Sequence, residues 1–175
     1  MLCIVLGSGG HTAEMVRLLS GVDLDRYSQR LYIVSESDLL SLDQIGVLES
    51  RRDGKREEYF VGRVPRSRRV GQPWITTPVS VLQCFRQASQ LIYQYLPDAV
   101  LCNGPGNCVV VCVAATVVRV LGIKKISIIY VESFARVKTL SLSGKIMYLL
   151  ADRFIVQWPD LLLRYPRAEH IPNLV

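Results

Sequence analysis

Leu2-Cys3-Ile4-Val5-Leu6-Gly7-Ser8-Gly9-Gly10-His11-Thr12-Ala13-Glu14 is an apolar run that breaks into glycines and then resumes with helical spacing at Met15, Leu18 and Leu19. The pattern predicts a strand, a tight turn and a helix, the opening unit of a parallel α/β sheet. Its three glycines let the backbone take positive φ and approach a ligand closely. The helix that follows aims its unpaired N–H groups and positive dipole end into the gap. The expected result is an anion site, most naturally for phosphate, built from Gly7, Ser8, Gly9, Gly10, His11 and Thr12. Thr12 is the expected N-cap, and Glu14 is expected in the first turn, where a carboxylate suits the dipole. The competing reading is a glycine-rich turn that binds nothing.

Outward from this unit, strand and helix patterns alternate. Arg30 to Ser35 reads as a strand and Ser37 to Glu49 as a helix, and Glu58 to Val61 as a short strand inside a basic, loop-rich segment. That segment, residues 51–76 taken with its flanks, holds eight of the 21 basic residues between Arg51 and Arg69. Thr77 to Leu96 reads as an amphipathic helix with Val81, Phe85, Ala88, Leu91, Ile92 and Tyr95 facing the sheet, stopped by Pro97. A second strand, glycine turn and helix follows: Ala99 to Cys102, then Asn103-Gly104-Pro105-Gly106-Asn107, then Cys108 to Leu121. Ile126 to Val131 is a continuous apolar strand that delivers Glu132 and Ser133 at its carboxyl end, where parallel sheets present ligand-binding groups. Leu140 to Ala151 reads as a further helix, Arg153 to Val156 as a last strand, and Pro159 to Pro166 as a turn-rich tail. The expected fold class is α/β, a Rossmann-like open parallel sheet with helices on both faces. With the first and fourth strands adjacent at the point where strand order reverses, the two glycine loops would face each other across one cleft, with Glu132 at its side.

A chain of 175 residues at 50% hydrophobic supports one domain with a sizeable core. Its five cysteines, at 3, 84, 102, 108 and 112, have no C-x-x-C spacing, so neither a disulfide framework nor a zinc site is indicated and reduced thiols are expected. The uneven net charge of +6 argues for a local anionic partner more than for nucleic acid. No signal peptide and no uncharged run of about 18 apolar residues occurs. No Asp-x-Asp occurs either, so a metal-bridged diphosphate of that kind has no support, and no cofactor is expected.

Six blocks come in a set order: Gly7 to Thr12, Pro65 to Arg68, Leu101 to Gly106, Tyr130 to Ser133, Leu140 to Lys145 and Val156 to Pro159. Together they resemble the family of membrane-anchoring, acceptor-side subunits of the eukaryotic UDP-N-acetylglucosamine transferase of dolichol-linked oligosaccharide synthesis. A more distant likeness is to the bacterial GlcNAc transferase of the peptidoglycan lipid precursor. The resemblance implies a half-enzyme over residues 1–175, equivalent to the N-terminal half of a two-domain GT-B glycosyltransferase, with a separate donor-binding catalytic subunit as partner. It implies residence at the cytosolic face of the endoplasmic reticulum membrane and a GlcNAc-diphosphate-dolichol acceptor. Members of the family usually carry an N-terminal transmembrane helix before the first strand. Its lack here implies either a truncated form or a variant that relies on other membrane contacts.

Within that frame Gly7, Ser8, Gly9, Gly10, His11, Thr12, Arg66, Arg68, Asn103, Gly104, Pro105 and Gly106 are the expected acceptor-diphosphate contacts, the arginines because guanidinium forks match phosphate oxygens. Arg63, Arg66, Arg68 and Arg69 are alternatively expected to rest on anionic headgroups, with Trp74 and Ile75 supplying apolar contact. His11 and Glu132 are the two groups placed to deprotonate the acceptor hydroxyl, with Glu132 favoured as the base and His11 as an acceptor contact. Two other classes compete. A non-catalytic membrane adaptor would use the same fold without touching substrate. A dinucleotide-binding oxidoreductase domain would use the same opening turn, although the sixth position of its G-x-G-x-x-G pattern is Thr12 here.

Overall fold

β1 (Leu2–Leu6) is buried along its whole length, as an apolar run must be when a parallel sheet is covered on both faces. The computed structural model describes residues 1–50, 58–68, 71–104 and 106–172. Around β1 lie β2 (Arg30–Ser35), β3 (Tyr59–Val64), β4 (Ala99–Asn103), β5 (Ser127–Val131), β6 (Arg153–Val156) and β7 (Glu169–His170). They form one sheet in the order β3-β2-β1-β4-β5-β6-β7. Every pairing is parallel. From β1 the chain runs outward through β2 to β3, then returns to β4 on the other side of β1 and runs outward again. The order therefore reverses between β1 and β4, as expected, and the crevice opens at their carboxyl ends.

The helices α1 (Gly10–Ser20), α2 (Leu39–Ser50), α3 (Thr77–Tyr95), α4 (Gly106–Val120) and α5 (Leu142–Leu150) cover the two faces. Alternation along the strands sorts the core into two layers. Leu2, Ile4 and Leu6 pack with Tyr32, Val34, Met15, Leu18, Leu19, Ile45 and Leu48 under α1 and α2. Cys3, Val5, Leu31 and Ile33 pack with Cys84, Ala88, Ile92, Val111 and Met147 under α3, α4 and α5. All five cysteines are free and buried. Burial pushes the Cys84 thiol up to about 12.

Two expectations need correction. Of the face expected for α3, Ala88 and Ile92 are buried and Phe85, Leu91 and Tyr95 pack against the core, but Val81 is exposed and Cys84 joins the buried stripe. The helix packs on α4 as well as beside β3, and its first turns, where Val81 lies, are the exposed part. The tail is not merely turns. Pro159–Leu163 forms a 3₁₀ helix and Glu169–His170 adds the seventh strand, too short to carry a periodic signal. Arg153 and Glu169 bind each other across that last pair of strands at 2.5 Å.

Arg30 is a buried cation at the start of β2. It meets Glu49 of α2 in a fork, Nε to Oε1 at 2.8 Å and Nη2 to Oε2 at 2.9 Å. Tyr32 donates to the same carboxylate at 2.5 Å. This network fixes the last turn of α2 against the sheet.

Candidate functional site

The turn after β1 is set by Gly9, whose φ of 68° is a conformation that residues with a side chain rarely adopt, and by Gly10, the first residue of α1. Gly9 is the N-cap and no side chain caps the helix. Thr12 is therefore not the N-cap. It sits buried in the first turn, its hydroxyl hydrogen-bonded to the Gly7 carbonyl and to Ser41 Oγ, and it faces the α2 layer instead of the cleft. Glu14 lies beyond the first turn, where it meets the side chains of Asn103 and Ser133 instead of the helix dipole.

The second glycine loop stands against the first because β1 and β4 are neighbours. Gly104 has a φ of 118°, and a Cβ there would fall 2.9 Å from His11 Cγ. Glycine at this position is what lets the imidazole pack against the loop. Pro105 lies outside the described residues. Gly106 begins α4 and approaches Ser67, where a Cβ would lie 2.5 Å from the Ser67 hydroxyl. Asn107 holds the 65–67 segment in place by accepting from Ser67 N at 2.7 Å and donating to the Pro65 carbonyl at 3.3 Å.

His11, Gly104, Glu132, Ser133, Arg136, Ser141 and Ser143 line one cavity of about 320 Å³. Two helix N-termini border it, those of α1 and α5, each with leading N–H groups that lack intrahelical partners. Arg136 adds a guanidinium. Arg136 and the start of α1 make one side of this cavity electropositive, while the Glu132 carboxylate lies at the α5 side.

Arg66 and Arg68 stand elsewhere. Arg66 lines a separate cavity of about 800 Å³ with Ser35, Glu36, Gln72 and Ser80. The Arg68 guanidinium stacks 3.7 Å over the Trp74 ring and donates to the Gln72 carbonyl. Arg63 is exposed on β3, and Arg69 lies outside the described residues.

Glu132 is 1% exposed and its carboxylate is occupied. Oε1 accepts from Ser133 N at 3.0 Å, Oε2 accepts from Ser141 N at 3.0 Å, and the Ser141 hydroxyl lies 3.1 Å from both. Ser141 is also the N-cap of α5, its hydroxyl accepting from Gly144 N at 2.8 Å. A Cβ on Gly144 would collide with Glu132 Oε2, so the helix can sit this close only with glycine there. Glu132 thus ties the carboxyl end of β5 to the start of α5 and closes the floor of the cavity.

The His11 side chain is about 31% exposed to the cavity. Its Nδ1 lies 3.0 Å from Asn103 Oδ1, and Asn103 Nδ2 donates to Glu14 Oε2 at 3.0 Å. Ser133 Oγ donates to the other oxygen of Glu14 at 2.9 Å. Asn103 is fully buried. Among the expected residues, His11, Gly104 and Glu132 line the cavity and Asn103 meets His11 behind it, Gly7 to Gly10 form the turn that leads into His11, and Thr12, Arg66, Arg68 and Gly106 are turned to other partners. Arg136, Ser141 and Ser143 were missed. Ser141 before an apolar helix is the one readable signal, as an N-cap; Arg136 sits in an irregular loop and gives none.

The fold defines a class: a Rossmann-like, doubly wound unit of the GT-B type, with a cavity at the switch point. The crystal structure of MurG from Acinetobacter baumannii matches it with a TM-score of 0.59 at 16% identity, over 91% of this chain and 41% of that one. The UDP-GlcNAc 2-epimerase from Methanocaldococcus jannaschii matches with a TM-score of 0.56 at 13% identity, over 95% and 42%. The chain spans about two fifths of the length of these structures. The family described as "Oligosaccharide biosynthesis protein Alg14 like" matches residues 2–174. UDP-N-acetylglucosamine transferase subunit ALG14 of Rattus norvegicus is 48% identical over 99% of this chain and 82% of its own length. The subunit of the same name from Schizosaccharomyces pombe is 44% identical over 97% and 81%. The chain belongs to the Alg14 family. Among the described residues no helix is long and apolar enough to cross a membrane.

Proposed function

We propose that this chain is the acceptor-side subunit of a UDP-GlcNAc transferase that adds the second GlcNAc to GlcNAc-diphosphate-dolichol at the cytosolic face of the endoplasmic reticulum, with the donor held by a partner subunit. The observation that carries this reading is the convergence of two helix N-termini, Arg136 and His11 on one cavity at the β1/β4 switch point. The backbone of Gly9, Gly10 and Gly104 and the Arg136 guanidinium bind the acceptor diphosphate. The acceptor hydroxyl lies against His11. In the transfer the hydroxyl proton passes to the imidazole, the oxygen forms its bond to C1 of GlcNAc, and the C1–O bond to UDP breaks with its electron pair leaving on the diphosphate. Of the two expected bases, His11 suits the task better. Its ring borders the cavity, whereas the Glu132 carboxylate is buried and saturated with donors. Glu132 then serves to hold the α5 N-terminus toward the phosphates.

The test is turnover of UDP-GlcNAc and a GlcNAc-diphosphate-lipid by the chain assembled with its donor-binding partner. His11→Ala is expected to lower kcat by about 10²–10⁴-fold, the usual loss when a positioned base is removed. Arg136→Gln is expected to act through acceptor KM. Full activity in both variants would remove substrate chemistry from this chain and leave it an adaptor.

A further inference from the structure

We infer that Glu14 is a positioning residue for this reaction: acting through Asn103, it locks His11 in the tautomer whose Nε2 lone pair is free to take a proton. The inference rests on the proposed role of His11, and its first test is independent of that role.

The chemistry of the donors decides the arrangement. An ionised carboxylate only accepts hydrogen bonds, so the Asn103 atom 3.0 Å from Glu14 Oε2 has to be its NH₂ group. That leaves Asn103 Oδ1, an acceptor, facing His11 Nδ1 at 3.0 Å. A neutral imidazole carries one N–H, and an acceptor opposite Nδ1 draws that proton to Nδ1. Nε2 is then the acceptor. Every link is held from outside the chain of bonds: Glu14 by the Ser133 hydroxyl at 2.9 Å, Asn103 by its complete burial on β4, and His11 by contact with Gly104. Glu14 Oε2 lies 3.8 Å from His11 Nδ1, too far for a hydrogen bond but close enough to offset the positive charge that appears on the ring when Nε2 is protonated. The three residues come from α1 and β4, which are far apart in sequence. Only the β1/β4 adjacency assembles them.

The chain contains two histidines, His11 and His170, so a ¹⁵N-histidine-labelled sample of the full chain gives two imidazole spin systems. Wild-type His11 is expected to show a protonated Nδ1 and a bare Nε2. A bare Nδ1 and protonated Nε2 would overturn the inference. In Glu14→Gln the amide can present either end to Asn103, so the lock is lost and the two tautomers are expected to mix.

Turnover with the donor-binding partner gives a second readout. Glu14→Gln is expected to lower kcat on the order of 10- to 100-fold, with acceptor KM little changed, as a misaligned base would. Asn103→Asp places two carboxylates face to face and is also expected to lose turnover. The double variant E14Q/N103D exchanges amide and carboxylate: the amide now on α1 donates to the carboxylate now on β4, and that carboxylate accepts the His11 Nδ1–H. It is expected to recover most of the lost kcat and the wild-type tautomer. A merely structural pair would recover in the double variant without the His11 tautomer having shifted in either single variant, so the tautomer is the deciding readout, and a double variant no better than the worse single one, with the protein folded by circular dichroism, would overturn the inference. If His11→Ala were fully active while the labelled spectra behaved as stated, the base reading would fail and the tautomer lock would stand.

Discussion

Arg30 and Glu49 illustrate how a single pair decides local structure. Arg30 is 1% exposed at the rim of the sheet, and its guanidinium is satisfied by the Glu49 fork and the Tyr27 carbonyl. Removing one partner from a buried pair leaves the other charge uncompensated, a cost of about 3–5 kcal/mol. Glu49→Ala is expected to destabilise the chain by that order, read as a lower midpoint of urea unfolding at unchanged m value. A shift under about 1 kcal/mol would mean that the pair acts as an ordinary surface ion pair. At the same scale, the roles expected of Thr12 and Glu132 changed for one reason: a hydroxyl or carboxylate next to a glycine loop is equally able to face the cleft or to satisfy the protein's own backbone. Sequence places the residue in the loop. The rotamer and the partner come from packing.

Among the elements, α3 carries the most unusual surface. Trp74 and Ile75 just before it and Val79 and Leu82 within it are exposed, with Arg68 stacked on the indole and Arg86 nearby in sequence. A helix with apolar residues outside and cations beside them suits a membrane interface, where each Lys or Arg near anionic lipid contributes about 1 kcal/mol. The beginning of α3 follows β3, so it lies at the carboxyl edge of the sheet, the edge that holds the cavity. Under the proposed function, a lipid-linked acceptor would reach the cavity from the bilayer. Replacing Trp74 and Ile75 by Ser is expected to reduce sedimentation with phosphatidylserine vesicles several-fold while leaving the urea midpoint unchanged. Undiminished binding would assign membrane contact to another surface. The stretch from Arg66 to Arg68 fits this edge better than the cavity lined by His11 and Arg136, since Arg68 is committed to Trp74.

At the level of the whole molecule, one doubly wound sheet offers one side of a cleft. The chain has about two fifths of the length of the GT-B-type structures it matches. Alone it is expected to show no transfer and no calorimetric binding of UDP-GlcNAc, and to gain activity on adding the donor-binding subunit. Tight UDP-GlcNAc binding to the isolated chain would overturn the half-enzyme reading. The alternating strands and helices, the parallel sheet and the family were legible in the sequence, whereas the facing of the two glycine loops followed only from an assumed strand order that the sheet bears out. Local patterns of period 2 and 3.6 and glycine-rich breaks are properties of short segments, and short segments are read directly. β2 even begins and ends at the residues expected. The two-residue β7 was not legible, because a strand that short has no period. The assembly of His11, Asn103 and Glu14, the withdrawal of Glu132 into the α5 cap and the arrival of Arg136 at the cavity were decided by tertiary structure alone, since each depends on side chains from elements far apart in sequence meeting within hydrogen-bond distance.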